Sequence, residues 1–465
     1  MKVICVMIAM LGLLHEVKAQ FVQASHADTT FTNYFRNTEA GTMTAGDGGM
    51  SVKLPDGRTV WLISDSYITA VNAADTTLAC LFDINNCLMV QDSAQEDDFI
   101  TLYNTEGTGV NRTYFTTAYC PGGNDRFWPA HGYAHEQKFY AFLHRYQGAA
   151  MDFAGVYLAQ MSLPELTVDS ITEISQTDIL WGHYVMPNAA GDSLYIYGTR
   201  KNWITYENYV ARCPMDGIYS QWQYYTGSTW TSNPTMAGKI SISTTNVFGN
   251  GMSVLQLQHK YYLFLQENGF LTCGQGRDIN VFKSNTPWGP FENEKTIYTI
   301  PNTFNQIYLI TYQAFAHNQF TRNDEVLISY AVNDICPSQC QNLWSDRRNA
   351  DTYRLNFVRA PFSVIDPELQ LHVDLLQNQS ATSSINIYPN PVTSRLNISV
   401  VNKSMPIDRI TILRGDAKFF VQCTQKSLQE EQNTYTLDMQ SYTPGVYVLK
   451  VESGNTVWYR KIIKL

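Results

Sequence analysis

The stretch Gly46–Tyr67, GDGGMSVKLPDGRTVWLISDSY, decides the fold. Apolar and β-branched residues flank Pro55-Asp56-Gly57. Proline presets φ for a turn and glycine accepts positive φ, so the two flanks read as the strands of a hairpin. Met50–Leu54 leads into the turn and Arg58–Ser64 returns from it. Pairing about that turn sets Leu54 beside Arg58 and, further out, Asp47 beside Asp65. Directly opposed residues on antiparallel strands hold their Cβ atoms roughly 4.5–5.5 Å apart. Two carboxylates held that close repel, and one tends to keep its proton at neutral pH. Such a pair is raw material for an acid and a nucleophile or base. On the hairpin alone, a structural role serves equally: one Asp capping a strand end, the other binding backbone amides.

The same pattern recurs along the chain. Trp128–Tyr146 turns at Glu136-Gln137, Tyr184–Arg200 at Gly191-Asp192, Gly249–Asn268 near His259, and Ile310–Asp334 at Asn323-Asp324. The returning strands start near Val60, Phe139, Tyr195, Tyr261 and Val326, a period of roughly 65 residues. Further strand-like pieces lie between the copies: Gly155–Gln160, Tyr209–Arg212, Asn280–Lys283 and Tyr353–Ala360. Helical periodicity is nearly absent. Four short strands in each of five units predict an all-β fold, a five-bladed β-propeller over residues 20–376. A two-sheet sandwich would need turn signals every 8–12 residues or so. In a propeller the first strand of each blade lines the axis, so Asp47 and Asp65 are expected at the rim of a central funnel.

The ends of the chain carry a different message. Lys2, the apolar run Val3–Leu14 and the small-residue site at Val17-Lys18-Ala19 read as a secretory signal over residues 1–19. Spanning a membrane takes about 20 apolar residues, and no later segment approaches that length, so no membrane span is expected. A net charge of −9 without basic clusters argues against nucleic acid and anionic membrane surfaces as partners. Aromatic residues make up 13%, enough to supply sugar-stacking platforms as well as strand core. Of nine cysteines, Cys80/Cys87 and Cys336/Cys340 form close pairs in loop-like sequence, the expected disulfides of an oxidising compartment. No Cys-x-x-Cys occurs, which leaves little for zinc. Residues 377–384, QNQSATSS, form a polar linker, and residues 385–465 a small β-sandwich module.

Two resemblances sharpen this reading. Ile387-Tyr-Pro-Asn-Pro391, Gly445-Val-Tyr-Val-Leu-Lys450 and the terminal KIIKL resemble the C-terminal sorting domain of the type IX secretion system of Bacteroidota. That implies the export machinery as a partner and a secreted or cell-surface location. The body, roughly Phe31–Pro367, resembles the five-bladed propellers of the glycoside hydrolase family 43 superfamily, and Ser284–Phe291, SNTPWGPF, is similar to their blade-end motif. The first blade more closely resembles a group of domains of unknown function, some of them endo-D-arabinanases, whose carboxylates would match Asp47 and Asp65. Family 43 enzymes carry a further Asp on blade two and a Glu on blade three. Here the corresponding strands read Pro129-Ala130-His131 and Tyr184-Val185-Met186, so the carry-over of that triad stops at Asp47.

The expected activity is hydrolysis of a furanose-containing or other complex polysaccharide by a monomer, with Asp47 and Asp65 dividing the catalytic roles. Retaining glycosidases hold their carboxyls about 5–5.5 Å apart and inverting ones about 6.5–9.5 Å, and hairpin neighbours suit the former. Trp128 and Trp181 are candidate stacking platforms. His131, His135, Arg200 and Glu267 are candidate substrate contacts, each with a structural role as its alternative. His317 resembles the blade-five histidine that contacts a central metal in some family 43 enzymes. No cofactor is required by this chemistry, and calcium, held largely by carbonyls and water, is the ion that resemblance implies. There is no Gly-x-Ser-x-Gly elbow, Walker loop, His-Glu-x-x-His or repeated Asp-box. The alternative is a non-catalytic glycan-binding or cell-surface propeller.

Overall fold

The structure, a computed structural model, describes residues 24–369 and 385–465, except 106–110, 176, 242–245, 337, 401–408, 415–419, 425–428, 432–433 and 454–455. The signal segment and the linker lie outside the described residues. Two compact units emerge, one spanning Ala24–Leu369 and the other holding the C-terminal module.

The larger unit is nearly all β. Its hairpins form where the turn chemistry places them. Leu54 N–H donates to the Arg58 carbonyl at 2.8 Å, closing the Pro-Asp-Gly turn. Asn323 and Asp324 take φ of 55° and 59°, the left-handed pair that a tight two-residue hairpin turn demands and that Asn and Asp tolerate. Five antiparallel sheets result. The first contains Ala45–Lys53, Thr59–Tyr67, Cys87–Gln91 and Phe99–Leu102. The second contains Arg126–His135, Lys138–Gln147, Asp152–Ser162 and Thr167–Ser175. The third runs Leu180–Pro187, Ser193–Asn202 and Thr205–Pro214, then adds two short strands, one more than the repeat predicts. The fourth contains Ser253–Leu257, Lys260–Gln266, Asp278–Ser284 and Glu292–Thr299. The fifth contains Ile310–Arg322, Glu325–Asn333 and Leu355–Pro361, and its outer strand is His26–Ala27 from the start of the domain.

The first strands of the five sheets neighbour one another in a circuit, each against the next and the fifth against the first. They are therefore buried on both faces, and core residues come from all five sheets: Leu62, Phe139, Tyr197, Phe264 and Ile328 are fully or almost fully enclosed. Loops of the first and fifth sheets are knitted together. Thr77–Ala79 pairs with Arg347–Asn349, and Cys80 is bonded to Cys340. The second disulfide joins Cys273 to Cys336, and Cys87 is a buried free thiol, as are Cys120 and Cys213. The expected pairs Cys80/Cys87 and Cys336/Cys340 are thus both overturned. Cys87 lies inside a buried strand, whereas the bonded cysteines sit in loops that different sheets bring together.

In the C-terminal module two four-stranded sheets share a core of Leu396, Ile398, Ile410, Ile412, Leu449 and Val451. No helix among the described residues is long and apolar enough to cross a membrane.

Candidate active site

The first hairpin brings Asp47 and Asp65 together by an interrupted ladder. Pairing runs regularly from Lys53–Thr59 to Met50–Leu62, slips at Gly48, and resumes at Gly46–Ser66. One residue is extra on each strand, so the two slips cancel and the expected register returns at Gly46–Ser66, just beyond the two Asp. Gly49 makes the slip feasible: its φ is +84°, and a Cβ there would meet Leu355 Cδ1 at 2.5 Å.

Each carboxyl has its own set of donors. Asp47 Oδ2 accepts the hydroxyls of Tyr312 at 2.8 Å and Tyr353 at 2.9 Å. The backbone N–H of Asp65 also bonds this carboxylate, and Arg348 adds positive charge. Asp65 Oδ1 accepts Trp128 Nε1–H at 3.0 Å and Asn85 Nδ2–H at 3.2 Å. Asn85 is locked in that orientation because its Oδ1 takes the Gly123 N–H at 2.6 Å. No hydrogen bond among the described residues falls on Asp65 Oδ2.

Burial raises both carboxyls above the ordinary range. For Asp47 the two phenols, the amide and Arg348 work against that rise. Asp65 has the charge of Asp47 added to its burial, and the two N–H donors and Arg126 only partly offset them; it is pushed up to about 7. The pair therefore holds one proton near neutrality, and that proton belongs on Asp65. Tyr312 and Tyr353 in turn stay protonated, their phenols raised well above their usual value by burial and by Asp47.

The surroundings support these donors. Arg348 lies over the Tyr353 ring at 4.7 Å and pairs with buried Asp334 at 2.9 Å. Arg126 lies over Trp128 at 5.7 Å, and Tyr146 packs against the same indole at 4.6 Å. Phe270, more than half exposed, sits 4.9 Å from the Tyr312 ring.

The other expected site residues are distributed differently. Trp128 is at the site, but as a hydrogen-bond donor that orients Asp65. His131 is buried, stacked on Tyr184 at 4.6 Å, with Nδ1 accepting the Val185 N–H and Nε2 against the Ser51 carbonyl. Both nitrogens are taken, and burial lowers the ring to about 4. His135 is at the hairpin-turn end of the strand Arg126–His135, against Asp216. Trp181 is wholly buried, its indole N–H spent on Thr177. Arg200 pairs with Glu207 and lies over Tyr209, within its own sheet. Glu267 lines a separate open groove of about 480 Å³ with Arg277 and Asp278. His317 is fully buried, with Nδ1 on Ser51 Oγ at 2.6 Å and Nε2 on Ser329 Oγ at 2.8 Å. Those bonds leave no nitrogen for calcium, and no group of three His, Cys, Asp or Glu side chains gathers among the described residues. The residues do not fit a metal held by His317.

Tyr312, Tyr353, Asn85 and Arg126 were not anticipated. A signal existed for the first: Asp47, Trp128 and Tyr312 are each the third residue of their sheet's first strand.

Comparison with known proteins follows the same division into two units. Residues 386–465 match the secretion system C-terminal sorting domain, which marks a protein exported by the type IX route to the cell surface or the medium. The fold is similar to that of a "putative hydrolase" from Bacteroides ovatus, with a TM-score of 0.62 at 21% identity, covering 77% of this chain and 92% of that one. Weaker likeness extends to an endo-arabinase from Bacteroides thetaiotaomicron (TM-score 0.37, 13% identity, 70% and 97% covered). A GH43_1 enzyme from Xanthomonas citri is comparable (TM-score 0.40, 12% identity, 71% and 92% covered). No curated protein sequence matches this chain. Residues 28–362, well over half of the chain, match the domain of unknown function DUF5005, and the protein belongs to that family.

Proposed function

We propose that the larger unit is a five-bladed β-propeller glycoside hydrolase acting on an exported protein's natural target, a complex polysaccharide with furanose units. The circuit of five first strands supports the blade count. The observation that carries the activity is the unequal treatment of two opposed carboxyls. Asp47 is supplied with two phenols and an amide that favour its anion, while Asp65 retains a proton and a free oxygen.

In this reading Asp47 attacks the anomeric carbon and Asp65 protonates the departing glycosidic oxygen, forming a covalent glycosyl–enzyme. Asp65, now ionised, takes a proton from water as that water displaces Asp47. Neighbours across a hairpin suit the roughly 5–5.5 Å of retaining enzymes better than the wider spacing of inverting ones. Tyr312 and Tyr353 set the charge of the nucleophile, and Trp128 and Asn85 aim the acid.

The test is hydrolysis of arabinans, arabinogalactans and other plant and bacterial polysaccharides by residues 20–376, with Asp47→Asn and Asp65→Asn alongside. Both substitutions should lower turnover on polysaccharide by at least about 10³-fold. On an aryl glycoside, whose leaving group needs no proton, Asp65→Asn should keep much of its glycosylation rate while Asp47→Asn stays inactive. Glycan binding without cleavage, unchanged by either substitution, would replace the enzyme with a lectin-like propeller.

A further inference from the structure

Beside Trp128 lies a small cavity of about 30 Å³ that draws residues from all five sheets or the segments leading into them. A water molecule needs about 10–15 Å³ by the same kind of measure, so the space admits two water-sized groups and no sugar ring. Its lining includes Trp128, Tyr146, His144, His183, Asn250 and Gln313.

Two polar atoms face this space without a partner, His183 Nε2 and Gln313 Oε1. His183 is 6% exposed, and burial, then the neighbouring His144, hold it neutral. Asn250 hydrogen-bonds the ring and is itself fixed by the Thr199 hydroxyl at 2.8 Å. A buried polar atom left unpaired costs about 1–3 kcal/mol, and native proteins seldom carry two in one cavity without use for them.

The backbone is shaped to present these atoms. The ladder slips between Trp181 and Tyr184 and again between Tyr312 and Phe315, the two places where His183 and Gln313 leave their strands. Bulges re-aim side chains in this way beside active sites. Gln313 holds φ at +56°, a conformation that disfavours a side chain and is retained where the surroundings enforce it. Gly182 has φ of +91°, and a Cβ there would collide with Phe142 Cγ at 2.1 Å. The cavity is also tied to both carboxyls: Trp128 bonds Asp65, and Tyr312, next to Gln313, bonds Asp47.

A hydroxyl is the group that satisfies both atoms, donating its proton to Gln313 Oε1 and accepting from His183 Nε2–H in the tautomer that carries the ring proton there. We propose that this cavity is a socket for the exocyclic hydroxymethyl arm of the sugar unit presented to Asp47 and Asp65, read by His183 and Gln313. The sugar ring stays above, at the carboxyls, and its CH₂OH arm descends. Arabinofuranose and galactopyranose carry such an arm; xylopyranose and arabinopyranose do not. This inference rests on the glycoside hydrolase reading for its ligand, and its test reads binding alone.

The experiment titrates residues 20–376 with matched probes while following the Trp128 indole N–H by NMR. Methyl β-D-galactopyranoside and methyl α-L-arabinopyranoside differ only in the arm. Methyl arabinofuranoside is paired in the same way with the tetrofuranoside that lacks C5. At least one arm-bearing probe should bind about tenfold tighter than its armless partner, and His183→Ala and Gln313→Ala should each abolish the preference. Gln313→Gly relieves the strained φ, so it should unfold at a higher temperature than the parent while also losing the preference. That separates loss of the socket from loss of the fold. Equal binding of each pair, no response to any probe, or a preference that survives His183→Ala in a folded protein would each overturn the socket. A preserved preference without any hydrolysis would instead overturn catalysis and leave the socket standing.

Discussion

Asp65 carries a buried carboxyl raised to about 7, whereas an aspartate in the unfolded chain ionises near ~3.9. The folded state therefore holds that proton more tightly than the unfolded one. Stability owed to this group is fully present below about pH 4 and is lost as pH climbs to about 7. Asp65→Asn removes the charge that appears over that window. The variant should gain stability over the parent, on the order of a few kcal/mol, at pH 8 and little at pH 4. Thermal unfolding at the two pH values measures this, and an equal gain at both would deny the raised carboxyl. In the proposed mechanism the same proton governs turnover. Activity on polysaccharide should fall on the alkaline side with a midpoint near 7, as the acid is lost. Replacing Trp128 by Phe removes a donor to the ionised form, so that midpoint should move upward. A downward or absent shift in the pH–rate profile would remove Trp128 from the site's electrostatics.

Within the first hairpin, two compensating slips open the ladder at the Asp pair and restore the register just beyond it. Gly49→Ala places a Cβ at φ +84° against Leu355 Cδ1, and Leu355 is itself buried. It should cost about 1–3 kcal/mol in urea unfolding and lower turnover beyond what stability explains, because Asp47 shifts with the bulge. The hairpins were legible because Pro-Asp-Gly, Glu-Gln and Asn-Asp are local turn chemistry, and the opposition of Asp47 and Asp65 followed from counting outward along one of them. Tyr312 and Tyr353 were not, since they stand 265 and 306 residues from Asp47 and only the packing of the first sheet against the fifth brings them near. His131 was read as a candidate substrate contact, but a first strand buried on both sides offers no solvent face there. The same enclosure explains why Trp181 and His317, aromatic and imidazole groups that invite a ligand on paper, are committed to the core.

Across the whole larger unit, the two disulfides tie loops from separate sheets. Cys80–Cys340 closes a span of 260 residues and joins the first sheet to the loop that leads into Tyr353. Cys80→Ser with Cys340→Ser should cost about 2–4 kcal/mol of stability and weaken catalysis through Tyr353. Losing Cys273–Cys336, whose span is 63 residues, should touch turnover less. Thermal melts with and without reductant, beside turnover of the two double variants, decide between them. The fifth sheet, finally, receives its outer strand from the far end of the domain. His26 pairs with Arg359, and Asp28 binds the same arginine across 331 residues of sequence. Loop-closure cost grows slowly with length, only about 0.6 kcal/mol per doubling, so this arrangement is cheap at equilibrium. Its consequence lies in time. During synthesis the N-terminal strand emerges first and must wait for almost the whole domain before its partner exists. Until then the strand is a loose end and the fifth sheet an open edge, able to pair with another copy of the chain. A maturing molecule stays exposed to self-association up to its last few dozen domain residues, and crowding of nascent chains, more than heat, is the stress to which its yield should respond.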